Sequence, residues 1–135
     1  MEPVIQGAVQ WLSLAFIAIA FGQSAFDKIV DWKGNLGWLK GHFKNSPLKS
    51  FVPMLLAVLT GFELLSGGLC AVAVVQLLLG VRSALPHLAA IVATATFLQL
   101  FFGQRMAKDY PGAASLTGYI IISLLAVYFT APAAV

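Results

Sequence analysis

The sequence predicts an all-α integral membrane protein, an antiparallel four-helix bundle with a short interfacial helix in its first loop. Of the 135 residues, 60% are hydrophobic and only 10% are charged, a balance that argues against a water-soluble domain. Almost all charges fall outside four apolar runs, and about 20 apolar residues in a helix cross a ~30 Å hydrocarbon core. Short connections favour consecutive helices that alternate in direction. We therefore expect one membrane domain over residues 1–135.

The first span is predicted at residues 4–26, where no charge interrupts the apolar run. The loop that follows mixes lysines with aromatic side chains such as Trp32, Trp38 and Phe43. This mixture is typical of a short helix at the lipid headgroups, which we expect between Trp32 and Lys44. The same rings could instead form a lid over a substrate. The sequence leaves both alternatives open.

The second span is predicted at residues 52–79, the third at 85–104 and the fourth at 113–131. Prolines in the first turns of the second and third spans fit helix starts. Pro111-Gly112 is expected to break the helix before the fourth span. Seven of the eight Lys and Arg residues lie in the first and third connections, and only Arg82 lies in the second. The positive-inside rule then predicts both basic loops in the cytoplasm and both termini outside.

One ionisable residue, Glu63, lies well inside an apolar run. A charge at that depth costs at least ~2.5–3.5 kcal/mol and is usually partnered or used. Thr60, Gly67 and Ala71 share its face by helical spacing, and small residues let a neighbouring helix approach. We expect Glu63 to face the bundle, either protonated or held by hydroxyl, phenol or amide groups of neighbouring helices. It could serve packing alone, carry protons or anchor a ligand.

Polar side chains collect near one end of the predicted bundle. An amphipathic headgroup that enters there, such as that of a quinone or another lipid-like molecule, would meet four candidate ligand-binding or proton-linked residues. These are Glu63, Gln23, Gln99 and Tyr110. The alternative is a structural ion network that clamps the helix ends. Its members would be Asp27, Lys28, Arg105, Lys108 and Asp109.

Other chemistries find little support in the sequence. A single cysteine, Cys70, leaves no CxxC pair for thiol–disulfide exchange. His42 and His87 are predicted at opposite membrane faces, so we expect no metal or haem site shared between them. No nucleophile arrangement or phosphate-binding loop is present, which argues against a self-contained catalyst. The net charge of +3 is spread over loops, and we expect no nucleic-acid partner.

Three segments give the chain a resemblance to the DoxX-like family of small four-helix bacterial membrane proteins. They are GQRMAKDYPGAA at 103–114, FGQSAFDK at 21–28 and FELLSGG at 62–68. The family takes its name from a membrane component of a thiosulfate:quinone oxidoreductase. The resemblance implies a multi-pass protein of the bacterial inner membrane that binds a quinone or lipid-like molecule, or anchors a redox or envelope complex.

Two alternatives to that function remain from the sequence. One is a non-catalytic accessory or structural subunit of a larger membrane complex. The other is a small-molecule or proton permease, for which four helices would need to oligomerise. The expected partners are accordingly the lipid bilayer and either other membrane subunits or further copies of the chain. Any enzymatic role would be that of a subunit of an oxidoreductase.

Overall fold

The computed structural model describes residues 3–132, and this range is helical without strands, as the sequence predicts. Within this range, four segments are long and apolar enough to cross a membrane: Pro3–Val30, Lys49–Leu78, Leu85–Met106 and Tyr110–Thr130. The helices are α1 (Pro3–Val30), α2 (Trp32–His42), α3 (Val52–Leu78), α4 (Leu85–Met106), α5 (Tyr110–Ser115) and α6 (Thr117–Thr130). A single 3₁₀ turn, Lys49–Phe51, precedes α3.

The four long segments pack in a ring around one core. α1 packs mainly on α3, α3 on α4, α4 on α6, and α6 returns to α1. Many of the buried core residues are alanines, and such small side chains bring helix backbones close together. In this core the rings of Phe21 and Phe97 stack with their centroids 4.3 Å apart.

α1 and α3 pack closely at Gly67. A Cβ atom at this position would lie 3.2 Å from the backbone nitrogen of Gly22. Thr60, Glu63 and Gly67 are all buried, as predicted, but Ala71 is exposed and Cys70 is buried in its place. At about 100° per residue, position 70 lies about 20° from Glu63 around the helix and position 71 about 80° away. The prediction that Ala71 shares the buried face with Glu63 was therefore wrong.

α1 continues past the predicted boundary at residue 26 and ends at Val30. It stops where Asp31 begins the next helix, because the Asp31 side chain accepts a hydrogen bond from the backbone N–H of Gly34 at 3.2 Å. α2 spans 11 residues, so a helix is present in the stretch from Trp32 to Lys44 where a short one was expected. None of its residues is buried.

The break before the fourth span falls earlier than predicted. Lys108 has a positive φ of 60° and ends α4, while Asp109 caps α5 by accepting a hydrogen bond from Gly112 N at 2.9 Å. Pro111 lies in the first turn of α5, where its missing N–H costs nothing. The prediction that Pro111-Gly112 breaks the helix was thus wrong, and the span begins at Tyr110.

Candidate ligand-binding site

A buried ion pair joins α1 to α3. The Nζ atom of Lys28 lies 2.9 Å from Oε1 of Glu63, whose side chain is 1% exposed. The ammonium group also donates a hydrogen bond to Oγ of Ser24 at 2.7 Å. The contact at Oε1 is one of charge, because no hydrogen bond of acceptable geometry reaches this oxygen. The two groups nevertheless compensate each other's charge in a place that water barely reaches.

The sequence had assigned Glu63 a neutral or hydroxyl-held state and had placed Lys28 nearer the membrane edge, whereas the structure brings the Lys28 ammonium group to the Glu63 carboxylate. Helical side chains point back toward the N-terminus of their own helix. From the last turn of α1, this direction leads the lysine past Ser24, one turn earlier, and into the bundle. The long methylene stem then carries the charge to Glu63.

The predicted ion network at the helix ends does not form within residues 3–132. The ion pairs in this range are Lys28–Glu63 and His42–Asp109, the second with 3.6 Å between Nε2 and Oδ2. Asp27 is exposed and makes no ion pair in this part of the chain. The carboxylate of Asp109 caps α5 instead of pairing with Lys28 or an expected neighbouring base.

The two remaining bases of that network have other surroundings. The guanidinium carbon of Arg105 lies 4.6 Å from the centroid of the Tyr110 ring, a cation–π contact on the surface. Lys108 is exposed, and its part in the fold is the backbone turn that separates α4 from α5. This turn lies within the segment at 103–114.

A cavity of about 420 Å³ lies between α2, α3, α4 and α5, with Lys28 in its wall. This volume is within the range of small-molecule sites, which are mostly apolar with a few polar groups that orient the ligand. The apolar wall includes Leu55, Leu59 and Leu100. The polar side chains that line the cavity come from α2, α4, α5 and the end of α1. They are Lys28, Asn35, His42, Gln99, Gln104 and Ser115.

α2 covers this cavity with its aromatic side. Trp38 and His42 stack with ring centroids 4.6 Å apart, and both line the cavity together with Phe43. His42 Nε2 lies 2.7 Å from Oε1 of Gln104, which joins α2 to the last turn of α4. The arrangement resembles the lid that the sequence had left as an alternative to an interfacial belt.

The structure brings some of the predicted ligand-binding residues together and separates others. Gln99 lines the cavity, and Glu63 lies behind Lys28, a lining residue that the sequence had assigned to the ion network. Gln23 and Tyr110 are exposed on the outside of the bundle and do not line it. Sequence reasoning missed Asn35, His42 and Ser115 as lining residues. The seven-residue spacing of Asn35 and His42, two helical turns, was a signal that could have placed both on one face of α2.

Comparison of the chain with protein-family models, with curated proteins and with solved structures gives no match. The interpretation of the site therefore depends on its geometry and on the chemistry of its residues.

Proposed function

We propose that the protein is a DoxX-like subunit of the bacterial inner membrane whose cavity binds a quinone or another polar-headed, lipid-like molecule. The helices would form an antiparallel membrane bundle, with α2 lying at the membrane interface. Contacts at the end opposite α2 support this arrangement: Gln10 near the start of α1 bonds to Phe129, and His87 near the start of α4 contacts Thr130. The complex that the subunit serves would be a redox or envelope assembly.

One observation carries the ligand-binding proposal. The cavity of about 420 Å³ has apolar walls and reaches a lysine whose counter-charge, Glu63, is buried behind it. An apolar body could be accommodated along Leu55, Leu59 and Leu100, while a polar head would find Lys28 and Gln99. Burying an ion pair is seldom favourable for stability alone. A role in binding gives a reason for keeping it.

Binding can be tested with purified protein in lipid nanodiscs, titrated with short-chain ubiquinone and menaquinone analogues and followed by native mass spectrometry. Leu59→Trp should abolish binding, because Leu59 lines the cavity and the larger ring would fill it. Leu64→Trp is the matched control, since Leu64 is 50% exposed and lies outside the lining. Equal quinone binding by both variants, or none by the unmodified protein, would contradict the proposal and favour an accessory subunit without a ligand.

A further inference from the structure

We propose that Lys28 is the residue that receives the ligand's head, and that it selects an uncharged carbonyl oxygen over an anionic group. This inference rests on the proposed function and specifies the chemistry of the ligand at that same site. Three observations support the inference: the contacts of the Lys28 ammonium group, the charge of Glu63, and the position of Lys28 in the cavity wall.

The ammonium group of Lys28 has an N–H donor that the described residues leave unused. Lysine carries three N–H donors and no acceptor. One goes to Oγ of Ser24 at 2.7 Å, and Oε1 of Glu63 lies 2.9 Å from the same nitrogen. Even if one donor is directed at Glu63, at least one more has no partner among the described residues, on a side chain that is 14% exposed and lines the cavity. A buried donor gains most from an acceptor that comes with the ligand.

The charge at this end of the cavity is already balanced. Glu63, 1% exposed, supplies one negative charge against the one positive charge of Lys28. An anionic head would lose its hydration on entering and would meet no excess positive charge in return. An uncharged carbonyl oxygen can accept a hydrogen bond from the unused N–H of Lys28, and its desolvation costs much less free energy than that of an anionic head. The pair therefore favours a neutral acceptor.

The wall of the cavity next to Lys28 determines which chemical group can adjoin the ligand's carbonyl. Leu55, Leu59 and Leu100 line the same cavity, so an apolar ring or chain next to the carbonyl suits it. Two sources share this chemistry, the ring ketone of a quinone and the ester carbonyl of a neutral glycerolipid. The experiment below distinguishes them.

The test compares probes that share a decyl tail and differ in the head: 2-decyl-1,4-benzoquinone, decylbenzene without a carbonyl, and the anion 4-decylbenzoate. Binding to nanodisc-held protein is measured by competition, with dioleoylglycerol as the ester-bearing competitor. We expect the benzoquinone to bind about tenfold or more tightly than decylbenzene, as a charge-assisted hydrogen bond implies, and the benzoate to bind no better than decylbenzene. Displacement of the benzoquinone by dioleoylglycerol would identify an ester carbonyl as an equally suitable acceptor.

The decisive variant is the double substitution Lys28→Met and Glu63→Met, which removes both charges and leaves neither stranded. It should bind decylbenzene as before and lose the preference for the benzoquinone. The infrared C=O stretch of the bound benzoquinone should lie at lower frequency in the unmodified protein than in the double variant. Lys33→Met is the control, since Lys33 is exposed on α2 and does not line the cavity.

The outcomes separate this inference from the proposed function. If no probe binds and Leu59→Trp changes nothing, the ligand site itself is refuted. If the benzoquinone binds and Leu59→Trp blocks it, but the double variant keeps the preference and the carbonyl frequency, the cavity stands and the role of Lys28 is overturned. Tighter binding of the benzoate than of the benzoquinone would also overturn it.

Discussion

The side chains of His42 and Gln104, 62 residues apart in sequence, meet at 2.7 Å between Nε2 and Oε1. This contact attaches the last turn of α2 to the last turn of α4. No residue of α2 is buried, so little apolar packing holds the helix in place. The His42 contact should therefore account for much of its attachment over the cavity.

We expect His42→Ala to loosen α2 while the rest of the protein stays folded. Loss of one hydrogen bond, worth about 0.5–1.5 kcal/mol, should speed hydrogen exchange of the α2 amides by roughly two- to tenfold. Exchange measured by mass spectrometry in nanodiscs reports this peptide by peptide. His87→Ala is the control, because His87 contacts Thr130 rather than α2. Unchanged α2 exchange in His42→Ala would show that other contacts hold the helix.

Adjacent glycines on α3 should respond differently to the same substitution. At Gly67 a Cβ would meet Gly22 N at 3.2 Å and Phe21 Cβ at 3.4 Å, whereas at Gly68 nothing lies within 4 Å. Gly67→Ala should lower the free energy of unfolding by about 1–3 kcal/mol through overpacking of the α1–α3 contact. Gly68→Ala should be neutral or raise it by up to about 1 kcal/mol, from helix propensity. Unfolding by SDS titration in mixed micelles compares the two, and equal effects would contradict the packing argument.

The number and approximate extent of the long helices could be predicted because apolar runs and their flanking charges depend on sequence alone. The burial of Glu63 followed from the cost of exposing an acid to hydrocarbon. Its partner could not be predicted in the same way. Lys28 is close to the end of α1 in sequence, and only the direction of its side chain brings it to Glu63.

The cavity was less accessible to sequence reasoning than the helices. It requires α2 to lie over α3 and α4, and a surface helix without buried residues carries little sequence signal about where it packs. The position of Tyr110 illustrates the same difficulty. Its neighbourhood in sequence placed it among the candidate ligand-binding residues, but Tyr110 is the first residue of α5 and its ring is exposed, in contact with Arg105.

A buried hydroxyl pair should couple α3 to α4. Oγ of Ser66 and Oγ1 of Thr96 are 2.7 Å apart and both residues are fully buried. Thr96 donates to the carbonyl of Val92, so Ser66 is the donor between the two hydroxyls. A double-mutant cycle with Ser66→Ala and Thr96→Val should give a coupling energy of about 0.6–1.7 kcal/mol, the range for such bonds in membrane bundles. Strict additivity of the two effects would show that the bond contributes nothing.

The stability of the protein should depend strongly on the Lys28–Glu63 ion pair. Lys28→Met leaves the buried carboxylate of Glu63 without its counter-charge, and Glu63→Met does the same to the ammonium group. Each substitution should therefore lower the free energy of unfolding by about 3–5 kcal/mol. The double variant should cost clearly less than the sum, because neither charge remains without its partner. Even Glu63→Gln, which would be harmless if the acid were neutral, should be destabilising. Additive losses in an SDS-unfolding cycle would mean that the two charges do not interact.

The last prediction concerns orientation. Lys28 is turned into the bundle and paired with Glu63, so it no longer counts as a loop charge. Six basic residues still lie at the cavity end, five in its connections and Arg105 in the last turn of α4, against Arg82 in the connection between α3 and α4. The positive-inside rule then predicts that the cavity end faces the cytoplasm and that the C-terminus lies outside.

Reporter fusions test this orientation directly. Alkaline phosphatase fused after Val135 should be active and green fluorescent protein at the same place dark, because the first needs the outside and the second the cytoplasm. Fusions after Ala107, which follows α4, should give the reverse pattern and serve as the control. A fluorescent fusion with an inactive phosphatase after Val135 would invert the topology. The cavity beneath α2 would then open on the outer side of the membrane, and its ligand would have to enter from the outer leaflet.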